Sequence, residues 1–389
     1  MRHPNQLPSR EIAAICAPGL EKVVATELAS LGWPSPKVGT GIVSSTGGSM
    51  ELYRACIGCR TATDLRVRVG RCNATSLEGL SQGLAKLPWA LFVHPGQPVR
   101  ITVSSRGSRL KRKDAVARKA ELAIRDAVRG PRVSYRPGSG NPRLLAPVHI
   151  HLRIEDSQVQ ASVDPVGEPL WQRGYRSRGG AAPLRENLAA AAIIAMEWKG
   201  TTPLVDPFCG SGTLLIEAAG MAAGRPPSAQ RRFAFEQWPC HTAKLWRKVQ
   251  GDARGAHLGR APAMIGADAD AAVLEIAQVN ARKAGAGNTI QWAHQRIDAL
   301  EPPMSGPGLV LSNPPWGKRL GSDVRGVYRA MGRTLKGGFA GWDVGLLCPD
   351  RSLVQALGFP MQPRLEFPHG GVRLTLWGGK VPAPTEHPG

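Results

Sequence analysis

An α/β fold, in which a half built of alternating strands and helices follows a basic α+β half, is what this sequence predicts. Three observations carry that prediction. Leu204 to Thr213 is a short apolar run that ends in Asp206 and a Gly210-Ser211-Gly212 turn, and Leu214 to Ala219 continue it as a helical pattern. Met264 to Asp268 repeats the design of a strand ending in carboxylates, and the helix after it spaces Val273, Ile276, Ala277, Ala281 and Ala284 along one side. Gly308 to Ser312 is a third apolar strand, and it stops at Asn313-Pro314-Pro315-Trp316. Strand, loop and helix in alternation mark a parallel sheet with helices on its faces, a Rossmann-like arrangement.

At 389 residues the chain is long enough for two or three domains with cores of their own. Its 50 Lys and Arg against 29 Asp and Glu give a net charge of +21, which points to a polyanionic partner, nucleic acid first. No apolar run approaches the roughly 18 residues a membrane span needs, and Met1 to Arg10 lacks the apolar core of a signal peptide, so a cytoplasmic protein is expected. Seven scattered cysteines agree with a reducing compartment.

The first unit reads as strand, helix, strand, helix. Ile12 to Cys16 is an apolar strand, Pro18-Gly19 a turn, and Leu20 to Leu31 a helix ended by Gly32. Thr40 to Ser45 alternates like a strand before Gly47-Gly48, and a helix begins near Glu51. Cys56 and Cys59 form a C-x-x-C with no second pair at zinc-site distance; one face of that helix accounts for the spacing. With no catalytic constellation, the unit to about residue 65 reads as a positioning module.

From about Arg66 to Asp164 the chain turns basic. Arg100 to Arg143 holds 13 Lys or Arg against Asp114, Glu121 and Asp126, a net of +10. A loop with Arg109, Lys111, Arg112 and Lys113 feeds a helix from Ala115 to Val128 that carries Arg118, a pattern suited to phosphate contact. Val148 to Ile154 and Val159 to Val163 alternate as a hairpin, with His149 and His151 on one strand face as surface histidines. The Pro- and Gly-rich stretch that follows, with Arg173, Arg176, Arg178 and Arg185, reads as a linker before a helix from Leu188 to Trp198. The expected divisions are 1–65, 66–165, a linker at 166–187, and 188–385.

The Gly210-x-Gly212 turn lets backbone pass close to a ligand, and the next helix offers free N–H groups at its start. Leu215 stands where a dinucleotide fingerprint would have its third glycine, and Asp206 precedes the turn. A carboxylate there repels a pyrophosphate and attracts an ammonium, so S-adenosylmethionine is the expected cofactor. Asp268 is placed to accept from ribose hydroxyls. Cys209 fits as a small residue of the turn rather than as a nucleophile.

The pairing of Asp206-Pro-Phe-Cys-Gly-Ser-Gly-Thr213 with Asn313-Pro-Pro-Trp316 resembles class I methyltransferases that modify amino groups. Over nearly the whole chain the sequence resembles the THUMP-domain RNA guanine-N2 methyltransferases, above all the bacterial branch acting on 23S ribosomal RNA. The residues that carry this resemblance are Cys16-Ala-Pro-Gly-Leu-Glu21, the basic stretch near Ser104 to Ala127, Pro169-Leu-Trp-Gln-Arg-Gly-Tyr-Arg176, Ala182 to Ala190, the cofactor turn, Phe233-Ala-Phe-Glu-Gln-Trp238 and Asn313 to Leu320. It implies a ferredoxin-like segment and a THUMP RNA-binding domain ahead of a seven-stranded class I methyltransferase domain. It also implies Asp206, Gly210 and Gly212, with Phe208 and Ser211 of the same turn, on the methionine side of the cofactor, Asp268 on its ribose and Asp298 on its adenine amino group. Arg109, Lys111, Arg112, Lys113, Arg118, Arg173 and Arg176 are expected on RNA.

A purine amine is a poor nucleophile because its lone pair is delocalised into the ring. Asn313 Oδ1 and the Pro314 carbonyl can each accept one of its N–H bonds, and Trp316 can stack on the flipped base. The catalytic set is therefore Asn313, Pro314 and Trp316, with no metal and no covalent enzyme intermediate expected. Trp171 replaces a commoner His, and Trp316 a commoner Tyr, of the family pattern. Phe233 to Trp238 reads either as an RNA-touching insertion or as helix packing. The alternatives are a transfer-RNA guanine-N2 methyltransferase, an N6-adenine DNA methyltransferase, a glutamine-modifying protein methyltransferase and a catalytically silent RNA-binding protein.

Overall fold

Two twisted sheets of seven strands each, joined through helices, make up the chain in this computed structural model, which describes residues 7–129, 145–176, 184–254, 261–304, 306–316 and 323–383. The first half runs β1 (Arg10–Ile15), α1 (Glu21–Ser30), β2 (Lys37–Gly39), β3 (Ile42–Gly47), α2 (Ser49–Gly58), β4 (Asp64–Asn73), α3 (Leu77–Ala85), β5 (Val99–Arg106), α4 (Lys113–Arg129), β6 (Val148–Glu155) and β7 (Gln158–Val163). Its strands stand in the order β2-β3-β1-β4-β7-β6-β5, with only β5 and β6 parallel. β4 runs across the division expected at residue 65. Ten residues long, it pairs with β1 on one side and β7 on the other, so both parts of the basic half share one sheet.

The second half runs α5 (Glu186–Ala195), β8 (Leu204–Asp206), α6 (Thr213–Ala222), α7 (Ala243–Arg254), β9 (Met264–Asp268), α8 (Ala271–Lys283), β10 (Ile290–His294), β11 (Leu309–Ser312), α9 (Val324–Gly338), β12 (Asp343–Cys348), α10 (Arg351–Gln355), β13 (Met361–His369) and β14 (Val372–Lys380). The strand order is β10-β9-β8-β11-β12-β14-β13. From β10 to β12 the strands are parallel, and β14 lies antiparallel between β12 and β13. β8 and β11 are neighbours from which the chain winds outward in opposite directions. In open α/β sheets the crevice beyond the strand ends at such a switch point is where ligands bind.

Why these segments form the sheet centre is plain from their burial. All three residues of β8 and all four of β11 are buried, as strands covered on both faces must be, and their sequences are correspondingly apolar. α5 and α6 are apolar almost all round, with eight of ten residues buried in each, because they pack between the sheets.

The aromatic run with two readings in sequence is packing. Phe235 is fully buried and stacks on Tyr53 of α2 at 4.5 Å, Trp246 of α7 meets both rings edge-on, and Trp238 meets Phe92 edge-on at 5.1 Å. The Tyr53 hydroxyl accepts from Thr242 N at 3.1 Å and lies 3.0 Å from His241 Nδ1. Burying each such ring is worth about 1.5–3 kcal/mol, so this cluster fixes the two halves against each other. Cys56 and Cys59 are buried free thiols, pushed well up by that burial, with Cys59 Sγ 3.3 Å from Glu27 Oε2. His149 and His151 are half-buried rather than fully exposed, and burial with Arg66 nearby pushes His151 down to about 4. Among the described residues no helix is long and apolar enough to cross a membrane.

Candidate active site

A cavity of about 500 Å³ opens at the carboxyl ends of β8, β9 and β11. The turn after β8 supplies Asp206 to Ser211, the end of β9 supplies Asp268, and the end of β11 supplies Asn313, Pro314 and Pro315. Residues more than a hundred positions apart thus converge because parallel strands put all their carboxyl ends on one edge.

The turn after β8 is made by its glycines. Gly210 and Gly212 have φ of +53° and +81°, the left-handed region that other residues enter only at a cost of roughly 1–2 kcal/mol. A Cβ on Gly212 would stand 2.7 Å from Trp292 Cη2 and 3.2 Å from Ala277 Cβ, whereas one on Gly210 would meet nothing within 4 Å. Gly212 therefore lets the turn settle onto β10 and α8, and Gly210 leaves the cavity open.

Asp206 is 1% exposed, and its Oδ1 accepts from Phe208 N at 3.2 Å and from Ser312 Oγ at 2.5 Å. Burial pushes its carboxyl up to about 7; the bonds from Ser312 and Phe208 pull it down, and the charge of Asp268 adds to the rise. Asp268 holds the rim. Its Oδ2 accepts from Gly210 N at 2.9 Å and its Oδ1 from Asp270 N at 3.1 Å, and each oxygen keeps a further lone pair. Cys209 is 6% exposed, and burial drives its thiol well up, which is the state of a packing residue rather than a nucleophile.

These features fit S-adenosylmethionine. Asp206 lines the cavity and presents a carboxylate to an ammonium, the glycine turn gives close backbone approach, and Phe208, Leu214, Val273, Ile276 and Ile297 add apolar wall.

Some expected residues stand elsewhere. Asp298 does not line the cavity; it is 59% exposed and sits 3.4 Å from Arg296 Nε, while Gln295, Arg296 and Ile297 of the same loop reach the lining. Trp316 is half-buried, packs against the apolar cores on both sides, and donates its indole N–H to Asn313 Oδ1 at 3.3 Å, leaving that oxygen one lone pair for another donor. Arg178 and Gly317 to Leu320 lie outside the described residues.

Arg173 and Arg176 correct the expectation of RNA contact. Arg173 is 3% exposed, donates to the carbonyls of Leu170 and Arg60, and has its Nε 3.6 Å from Glu217 Oε1. Arg176 donates to Leu184 O at 2.9 Å and Thr213 Oγ1 at 3.1 Å, and lies 3.5 Å from Glu186. Arg173 is enclosed by carbonyls and a carboxylate, and Arg176 is drawn inward by Leu184, Thr213 and Glu186. Arg109, Lys111, Arg112, Lys113 and Arg118 are exposed; Arg118 donates to Asp114 Oδ2 at 2.9 Å, and Arg112 lies 3.6 Å from the same oxygen.

The sequence missed Ser312, read there only as a strand end, and the Arg60–Glu217–Arg173 clamp between the halves. Adjacency to Asn313 was the one signal for Ser312; nothing local marked the clamp.

The sheet order, the switch-point cavity and its acidic, glycine-built lining define an S-adenosylmethionine-dependent class I methyltransferase. Residues 173–362 match the family model of the RMKL-like methyltransferase domain, and residues 11–67 match that of the RlmL ferredoxin-like domain. Together the two matches support a THUMP-type class I methyltransferase of the RlmL-like branch. SMU.472, described as a methyltransferase and solved in complex with SAH, shares 29% identity over 96% of this chain and 98% of its own, with a TM-score of 0.86. A Listeria monocytogenes protein described as an N6-adenine-specific DNA methylase shares 28% over 95% and 96%, TM-score 0.83. A methylase candidate from Clostridium difficile 630 shares 25% over 98% and 100%, TM-score 0.86.

Proposed function

We propose that the protein transfers a methyl group from S-adenosylmethionine to the exocyclic N2 of a guanosine in 23S ribosomal RNA, with residues 66–165 as a THUMP RNA-binding unit. The observation that carries this reading is the convergence of Asp206, Asn313 and Pro314 on one cavity. The two family matches and the charge of +21 support an RNA substrate.

When bound, S-adenosylmethionine supplies an electrophilic sulfonium methyl. Asp206 accepts from its ammonium and Asp268 from the ribose. Asn313 Oδ1 and the Pro314 carbonyl each accept an N–H bond from the guanine amine, holding the nitrogen pyramidal with its lone pair toward the methyl. Pro314 and Pro315 stiffen that loop. The exposed Arg109 to Lys113 segment and Arg118 take phosphates. The methylated nitrogen loses its proton to solvent, and no enzyme adduct forms.

The test is transfer of label from S-adenosylmethionine to separated 23S, 16S and transfer RNA from a strain lacking the gene, with nucleoside mass spectrometry. N2-methylguanosine in 23S RNA is expected. The same nucleoside in transfer RNA overturns the substrate, and label in DNA or protein overturns the acceptor class.

A further inference from the structure

We propose that Ser312, the last residue of β11, is a positioning residue for the cofactor: its hydroxyl holds Asp206 so that one carboxylate oxygen alone is presented to the cofactor's α-ammonium. This rests on the role given to Asp206 above and extends it to a residue of the acceptor strand.

The geometry is specific. Ser312 is 0% exposed and Asp206 1%, and both protein hydrogen bonds to the carboxylate, from Ser312 Oγ at 2.5 Å and Phe208 N at 3.2 Å, fall on Oδ1. Oδ2 makes no hydrogen bond among the described residues, and Asp206 lines the cavity, so Oδ2 is the oxygen left to face it. An ionised carboxylate only accepts, so the Ser312 hydroxyl must donate, and that donation favours the charged form.

The other groups around Asp206 give its charge no support. Asp268 at the end of β9 repels it, the Cys209 thiol beside it is itself buried, and no Lys or Arg among the described residues pairs with it. Among the described residues, two neutral donors therefore carry the task of keeping a buried carboxylate ionised until a cation arrives. Phe208 belongs to the cofactor turn itself. Ser312 belongs to the strand that delivers Asn313 and Pro314, so the contact ties the register of β11 against β8 to the readiness of the cofactor site.

The experiment is calorimetric binding of S-adenosylhomocysteine, which keeps the α-ammonium, to the full chain between pH 5.5 and 9, with no RNA present. In the wild type, affinity should fall on the acid side of about pH 7 as Asp206 takes a proton. Ser312→Ala should move that acid limb upward by about one to two pH units, the weight of one hydrogen bond to a charged oxygen. Ser312→Thr should move it back. An unmoved limb, or an equal loss of affinity at every pH, overturns the proposal, because a merely structural role predicts the second. Asp206→Asn separates the layers. If it binds as tightly as the wild type, the role of Asp206 falls; if it loses affinity while Ser312→Ala does not shift the limb, only the proposal for Ser312 falls.

Discussion

Asp206→Asn should make the cofactor-free protein more stable at pH 8 while weakening the binding of cofactor. The folded chain holds this carboxyl at about 7, against an ordinary 3.8, chiefly because burial strips it of water. A gap of about 3 units at 1.36 kcal/mol each is about 4 kcal/mol. The sign follows from which state binds the proton more tightly. The folded carboxyl holds its proton up to about pH 7, whereas the unfolded one releases it near 3.8. Asp206 therefore costs nothing below pH 3.8, costs progressively more between 3.8 and 7, and carries its full penalty above 7. Asparagine keeps an oxygen for Ser312 and Phe208 N and carries no charge. Urea unfolding of both cofactor-free proteins at pH 5, 6, 7 and 8 should show the variant gaining on the wild type up to pH 7 and then holding level. With a slope of about 2–3 kcal/mol per molar urea, the midpoint should differ by about 1–2 M at pH 8. S-adenosylhomocysteine should restore the wild type and leave the variant unmoved. A difference independent of pH, or a variant less stable at pH 8, would refute the view that Asp206 is a strained carboxylate waiting for a cation.

Asn313→Ala should cut turnover a hundredfold or more with cofactor binding nearly intact, as loss of an acceptor used in the transition state requires; calorimetry that shows cofactor binding lost instead would remove that role. Changing Lys111, Arg112 and Lys113 together to Glu should weaken RNA binding and flatten its salt dependence by about two to three in log–log slope, and an unchanged slope would move the RNA surface elsewhere. Glu217→Ala should cost about 3 kcal/mol or more in urea unfolding. Glu217 is 4% exposed and its carboxylate lies 3.8 Å from Arg60, 3.6 Å from Arg173 and 3.3 Å from the Tyr175 hydroxyl, so removing it strands two buried cations. Glu217→Ala as stable as the wild type would mean that the carbonyl bonds of Arg60 and Arg173 alone hold the two halves.

The parts of the site legible in the sequence were those whose chemistry is local. Gly210-x-Gly212 announces a left-handed turn because only glycine enters that conformation without strain, and Asp206 stands in line before it. Asn313 and Pro314 end an apolar strand, and a buried parallel strand has to deliver its last residues to the ligand edge. Strand and helix positions followed from periodicity, as in α8, predicted from Val273 to Ala284 and found at Ala271–Lys283.

What only the tertiary structure decided is which charges and rings find partners far along the chain. Arg173 and Arg176 look, in sequence, like part of a basic stretch for RNA; Glu217, 44 positions after Arg173, and Glu186 take them inward. Phe233 to Trp238 is ambiguous by itself, because its partner Tyr53 lies in the other half. Asp298 follows the right strand, yet it is Gln295, Arg296 and Ile297 of the same loop that line the cavity, since the path of a loop is not written in its residue spacing. The sequence by itself determined the class of fold and the place of the cofactor turn, because backbone conformation and burial periodicity are written in neighbouring residues. The pairing of Ser312 with Asp206, and of Arg60 with Glu217, was settled only when the sheets brought distant residues within hydrogen-bond and ion-pair reach.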